Sequence, residues 1–283
     1  MTDTDRPPPQ QAFDVLSDET RVAILRALAD QRHECPEEPR IGFSDLRRRV
    51  GMRDSGNFSY HLDKLEGRFV TKTPDGYRLA PSGFEVVAAL ITGVYGGDVR
   101  LGPLELADPC PMCSEPFTAT YEDALLLVEC PNDHVFRNVL PPGTIDDRTL
   151  EGVIELWTLK TRHDLVLAIE QICPFCYAGL DWTIDAGREF DQPEIETQCS
   201  RCSVRIEIPI IVSACRHPAV AAFYYEHGID IRTRPLWASE FFEPVDTTRS
   251  TDPDRIHVRI ELGDETLEAV LDDSLSVMYV SRI

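Results

Sequence analysis

Apolar residues recur at helical spacing through the first ninety positions. A short helix is expected from about Gln10 to Leu16. The segment running to Ala29 then sets Val22, Leu25 and Ala29 on one face, with Ile24 and Leu28 widening the stripe. Ser17 is the expected N-cap of that helix, and Asp18 and Glu19 suit its first turn. HECPEEPR (33–40) reads as a loop. Ser44 is then positioned to cap a helix holding Leu46 and Val50 one turn apart, with Gly51 as its stop. From Asp54 to Leu65 the core stripe is narrow: Phe58, Leu62 and Leu65 lie at i, i+4 and i+7. Asn57, Tyr60, His61 and Lys64 are expected on the other side, with Ser55 near the start. Val70 to Thr73, the turn Pro74-Asp75-Gly76 and Tyr77 to Leu79 alternate as a β-hairpin. Ser82 and Glu85 form a capping box opening a helix that carries Val87, Leu90 and Ile91.

Beyond residue 100 the period changes from helical to alternating, punctuated by cysteines. Cys110-Pro-Met-Cys113 precedes Cys130 and, after three residues, His134. Cys173-Pro-Phe-Cys176 precedes Cys199-Ser-Arg-Cys202. Two ligands three apart put both sulfurs on one side of a tight turn, and a second pair returned by a hairpin completes a tetrahedron suited to Zn²⁺. The segments between read as strands: Phe117–Tyr121, Leu125–Glu129 and Val135–Val139 in the first set, Leu180–Ile184, Ile195–Gln198 and Val204–Ile211 in the second. That is a zinc-ribbon pattern over 107–140 and again over 170–212. About two zinc ions per chain are expected, one on Cys110, Cys113, Cys130 and His134, the other on Cys173, Cys176, Cys199 and Cys202. Four protein ligands close each site, which favours a structural over a catalytic role. Cys35 and Cys215 have no partner in this pattern.

Between the ribbons, Asp146 or Asp147 to about Ile169 reads as helix. A further helix is expected from His217-Pro218 to His227, stopped by Gly228, and then strands at Arg255–Leu262, Thr266–Leu271 and Ser276–Arg282. Phe223, Tyr224, Tyr225, Trp237, Phe241 and Phe242 read as core, with an effector pocket lined by these rings as the sharper alternative. His217, His227 and His257 are spread over different elements with no nucleophile motif beside them.

Composition changes this picture in two ways. The formal net charge of −21 is unfavourable for contact with phosphates, but it is unevenly placed. Residues 1–93 hold 13 Lys/Arg against 15 Asp/Glu, a net of −2, which leaves −19 for the rest. Only Lys64, Lys72 and Lys160 are lysines, and abundant carboxylates with so little lysine resemble the proteins of salt-loving archaea. No apolar run approaches a membrane span or a signal peptide, so a cytoplasmic protein is expected, whose nine cysteines are thiols or metal ligands.

LSDETRVAILRAL (16–28), FSDLRRRVG (43–51) and SGNFSYHLDKL (55–65), in the order helix, helix, helix, hairpin, helix, resemble the ArsR-type winged helix-turn-helix family. HPAVAAFYYEHGID (217–230) with PLW (235–237) resembles the C-terminal domain of haloarchaeal ArsR-like regulators. The fold expected is α+β: a disordered tail at 1–11, a winged helix-turn-helix at 12–97, and an acidic zinc-binding domain at 104–283 with a small antiparallel sheet. The helix at 54–65 is suited to a major groove, with Ser55, Asn57, Tyr60, His61 and Lys64 at base edges and Arg47, Arg48 and Arg53 on phosphates. The resemblance implies a homodimer, joined through the first and last helices, on double-stranded DNA with two-fold symmetry. The family's Cys-x-Cys sensing pair is missing from the reading helix, and any effector is left open. The alternative is a zinc-stabilised adaptor that docks on transcription or RNA-processing machinery. No Walker loop, nucleophile elbow or paired acid–base set supports an enzyme.

Overall fold

The computed structural model describes residues 9–94, 99–185, 193–251 and 254–283, and divides into two compact units, residues 1–97 with 141–143 and residues 98–140 with 144–283. The protein is mixed α+β with small antiparallel sheets. The expected tail over 1–11 lies outside the described residues up to position 8, and from Pro9 the chain is already helical.

The first unit runs α1 (Pro9–Leu16), α2 (Glu19–Glu34), α3 (Phe43–Arg49), α4 (Ser55–Leu65), β1 (Val70–Thr73), β2 (Gly76–Leu79) and α5 (Pro81–Ile91). Three capping expectations are corrected. Asp18, not Ser17, caps α2, its carboxylate accepting from the Arg21 backbone N–H at 3.1 Å. Gly42 rather than Ser44 precedes α3. Ala80 precedes α5, with Pro81 preorganising its first turn while the Ser82 hydroxyl donates to the Arg68 carbonyl. Helix α2 also continues through His33 and Glu34, so the loop is shorter than 33–40.

Ile24, Leu25 and Leu28 of α2, Leu46 of α3, and Phe58, Leu62 and Leu65 of α4 meet Val70, Tyr77, Leu79 and Val87 in one core. Ile41 exchanges two backbone hydrogen bonds with Tyr77, of 3.0 and 2.9 Å, adding a third partner to the hairpin. This contact explains Gly76: at φ +135° a Cβ there would come within 2.4 Å of the Ile41 carbonyl oxygen.

The second unit opens with β3 (Arg100–Pro109), β4 (Pro116–Glu122), β5 (Leu125–Glu129) and β6 (Val135–Val139), paired in that order. Helix α6 (Leu150–Ile169) follows, capped by Thr149, so it starts later than the expected Asp146 or Asp147. Next come β7 (Leu180–Asp185), β8 (Glu194–Cys199) and β9 (Arg205–Pro209) in a second sheet. Strand β9 stops at Pro209 where continuation to Ile211 was expected. Ile210–Ala214 is instead a short helix, α7, with Ile210, Ile211, Ser213 and Ala214 all buried, so tertiary burial overrides the β preference of its isoleucines. Helix α8 (Pro218–Glu226) and the sheet β10 (Val245–Thr251), β11 (Asp254–Leu262), β12 (Glu265–Leu271) and β13 (Val277–Arg282) complete the chain.

Helix α6 is the beam between two cores. Its N-terminal half places Leu150, Val153 and Trp157 against Phe117, Tyr121, Leu126 and Val128 of the first sheet. Its C-terminal half places Leu165, Ala168 and Ile169 against Leu180, Ile195 and Ile208 of the second sheet and the aromatic group around Phe223. Trp157 stacks on Trp237 with ring centroids 4.6 Å apart. Phe223, Tyr224, Trp237 and Phe241 are fully buried and Phe242 packs against the core of Phe223 and Phe241, so these five rings are packed core rather than an effector pocket; Tyr225 is a correction, standing 67% exposed on α8.

Candidate metal centres and nucleic-acid face

Each cysteine set is brought together by the turns that join its strands. Three of the four turns share one backbone design. In Cys110–Glu115, Cys173–Ala178 and Cys199–Val204 the first cysteine's N–H donates to the carbonyl five residues on, and its own carbonyl accepts from the residue four on. That fourth residue is left-handed in each: Ser114 (φ 62°), Tyr177 (φ 56°) and Ser203 (φ 63°). The turn Cys130–His134 is one residue tighter, with the left-handed position at Asp133 (φ 62°) and His134 closing the bond to Cys130. All four turns are held by hydrogen bonds that bend the chain back around the donor atoms.

In the first set the Sγ of Cys110 lies 3.4 Å and that of Cys130 3.3 Å from His134 Nδ1, and Cys113 and Cys130 are 3.6 Å apart. In the second, Cys173–Cys202 and Cys176–Cys199 are each 3.5 Å apart. All four donor atoms of either set fall within 4.8 Å of one another. A disulfide would require about 2.05 Å. A tetrahedron of metal–sulfur bonds of about 2.3 Å has edges of about 3.8 Å. The separations therefore fit one four-coordinate metal ion in each cluster.

The surroundings divide the sulfurs of each set: one is held toward thiolate, while in the second set, against the Val204 backbone, burial and the neighbouring cysteines push Cys202 up to about 12. The Asn132 side chain and the backbone at Glu115 hold Cys113 down at about 6. The backbone N–H groups of Cys202 and Arg201 hold Cys199 at about 6, against its burial. Burial pushes Cys110 up to about 11, so in that cluster a bound cation is what would keep all three sulfurs ionised together. Cys110, Cys130, Cys173 and Cys199 are buried, whereas Cys202 stands exposed at the rim of the second cluster. Cys35 and Cys215 join neither set.

In the first unit, α4 presents the face expected of it only in part. Asp54 caps the helix through the Asn57 N–H at 2.7 Å, and Ser55, Asn57, Tyr60 and Lys64 are exposed above the buried Phe58, Leu62 and Leu65. The Lys64 ammonium lies 5.5 Å from the Tyr60 ring centroid. His61 is a correction: it is only 9% exposed and packs against the start of α2, with Nδ1 3.2 Å from the Asp18 carboxylate but not hydrogen-bonded to it, instead of facing outward. Asp63 is also exposed and borders the same face. Arg47 is a second correction. Its guanidinium donates to the Arg53 carbonyl and its Nε is buried, so it fastens the α3–α4 turn. Arg48 pairs with Asp45 yet stays exposed, as does Arg53.

His217 caps α8, His227 donates its Nδ1–H to the Phe223 carbonyl, and His257 sits by Glu268, so these three serve separate local contacts. Among the described residues no helix is long and apolar enough to cross a membrane.

The class that fold and site define is an α+β protein with two cysteine clusters, each competent to hold a metal ion. Residues 107–277, more than half of the chain, match the family model described as a domain of unknown function, DUF7351, and the chain belongs to that family. Residues 9–90 match the model of a second domain of unknown function, DUF7347. No curated protein and no solved structure matches the chain.

Proposed function

We propose that this protein is a sequence-specific DNA-binding transcriptional regulator, built from a winged helix-turn-helix and an acidic region stapled by two zinc ribbons. The observation that carries the reading is the outward face of α4. Asn57 and Tyr60 offer hydrogen-bonding groups and Lys64 a charge, on a helix fixed from below by Phe58, Leu62 and Leu65. An amide, a phenol and an ammonium at this spacing match what base edges and phosphates present in a major groove. Exposed Arg48 and Arg53 lie at the preceding turn, suited to phosphates, and β1–β2 follows as the wing.

Zinc is the metal proposed, because three thiolates with an imidazole, or four thiolates, are its usual closed donor sets, and such sites hold structure rather than perform chemistry. Phe13 on α1 and Ile91 on α5 are more than 60% exposed, which supports a homodimer through the outer helices. Repulsion between phosphates and a region of net −19 calls for concentrated salt, where the Debye length is about 3 Å at 1 M.

Selection from random DNA at molar salt tests the reading. The protein should enrich a two-fold motif. Replacing Asn57, Tyr60 and Lys64 together by alanine should weaken binding to that motif by at least about a hundredfold, at roughly 1–3 kcal/mol per base contact, with the fold intact. No enriched motif, or full affinity in the triple variant, would overturn it.

A further inference from the structure

Strands β6 and β9 are each the last strand of their sheet, and both border one cleft of about 600 Å³ in the second unit. The cleft takes consecutive residues from each strand, Val135–Asn138 from β6 and Val204–Glu207 from β9. Side chains alternate between the faces of a sheet, so an unbroken run borders a cavity that follows the strand edge.

The direction of the free backbone groups follows from the register. Strand β6 pairs with β5 as Val128↔Phe136 and Leu126↔Asn138, and the bonds Cys130 N to His134 O and Leu140 N to Ala124 O fix the even-numbered residues as those bonded to β5. The N–H and C=O of Val135 and Arg137 therefore point away from β5. Similarly, Cys199 N to Val204 O fixes Ile206 and Ile208 as bonded to β8, leaving Arg205 and Glu207 pointing outward. Both edges are blunted at one end: the Asn138 side chain accepts from the Val139 N–H, and β9 terminates in Pro209. Between those ends the outward groups of Val135, Arg137, Arg205 and Glu207 have no backbone partner among the described residues.

We propose that this cleft is a docking groove for an extended peptide of a partner protein, one that alternates acidic and apolar side chains. Backbone pairing to a sheet edge supplies affinity and the alternate side chains supply selectivity. Trp157, Leu165, Phe175 and Leu236 give an apolar lining for one set. The acidic set follows from charge. Arg137 makes no ion pair among the described residues, and Arg205 has only a 3.9 Å contact with Glu196, in a region otherwise strongly negative. Of the acids at the cleft, Asp164 is neutralised by Lys160 at 2.5 Å, and Glu207 lies toward the Pro209 end. The inference is independent of DNA binding.

The test uses the full chain with its metal and a short fluorescein-labelled peptide of alternating Glu and Val, read by anisotropy. A matched peptide with proline at alternate positions keeps the length but cannot pair. Arg137→Pro and Glu207→Pro remove outward N–H groups without touching the ladder bonds, and Arg137→Glu reverses the charge. Saturable binding by the first peptide, weakened about tenfold by each variant and absent for the proline peptide, supports the groove. Metal content and circular dichroism confirm that each variant is folded. No saturable binding, equal binding of the proline peptide, or unchanged affinity in the folded edge variants would overturn it, the last two pointing to a site that reads side chains alone.

Discussion

The two units stabilise themselves by different means. The first, of net charge −2, packs α2, α3 and α4 around a closed apolar core and contains no metal-competent cluster among its described residues. The second distributes its apolar residues over separate cores and ends two of its sheets in cysteine turns, where four donor atoms fall together. A chain with abundant surface carboxylate can hold small sheets together with a bound ion where burial alone offers less. The difference should show when the two supports are removed one at a time.

Removing the metal is expected to have the largest effect. Apparent zinc binding in structural sites amounts to about 10–16 kcal/mol near neutral pH, comparable with the whole stability of a domain. Chelation, or Cys199→Ser at the second cluster, should abolish amide protection across β7–β9. The helices of the first unit should keep theirs. Hydrogen exchange followed by mass spectrometry reads both at once. Native protection in β7–β9 of a metal-free chain would break the comparison, because the cysteine turns would then be self-supporting.

The converse change acts on the apolar core. Phe58 is fully buried, with its ring 5.1 Å from Phe43 in an edge-on contact. Phe58→Ala should destabilise the first unit by about 3–5 kcal/mol, seen as a lower denaturation midpoint for its helical signal, while the chain still binds its full complement of metal. Loss of metal in this variant would show that the two supports are not separate.

Much of this arrangement was legible where a local signal bounded it. Leu125–Glu129 and Val135–Val139 are found where alternation and the flanking cysteines placed them, because the tight turns leave the strands little freedom of register. Strand β3 was missed: Pro103 interrupts it, and proline normally argues against a strand, yet β3 is an edge whose partner β4 lies on one side only. Strand β10, VDTTRST, has no apolar alternation to announce it and exists by pairing with β11. The eight donors of the metal clusters were visible as spacing alone. His61 and Arg47 were not, because each is turned inward by a partner that helical periodicity does not register: a carboxylate forty-three residues away for His61 and a backbone carbonyl for Arg47. The cleft between β6 and β9 joins edges of two different sheets, a relation with no local signature.

The smallest effect expected concerns that long-range partner. Asp18 both caps α2 and sits against buried His61. Burial tends to raise its carboxyl, but the Arg21 backbone N–H and the charges of His61 and Arg21 outweigh this and hold it below its ordinary value of 3.8. A carboxyl depressed in the folded state stabilises above its unfolded value, and that contribution disappears as pH falls through the folded value. Asp18→Ala should therefore cost about 1 kcal/mol near neutral pH, and its difference from wild type should shrink on acidification below about pH 4. Asp18→Asn retains a capping oxygen while removing the charge, so it should recover part of the loss and flatten the pH dependence. Thermal melts of the three chains across that range measure both. If Asp18→Asn matched Asp18→Ala at every pH, the carboxylate would act only through its charge on His61, and α2 would start as well without a cap. In either case the cost falls on the first unit, which has no metal-competent cluster among its described residues, so melting of its helices should register the change while metal content stays constant.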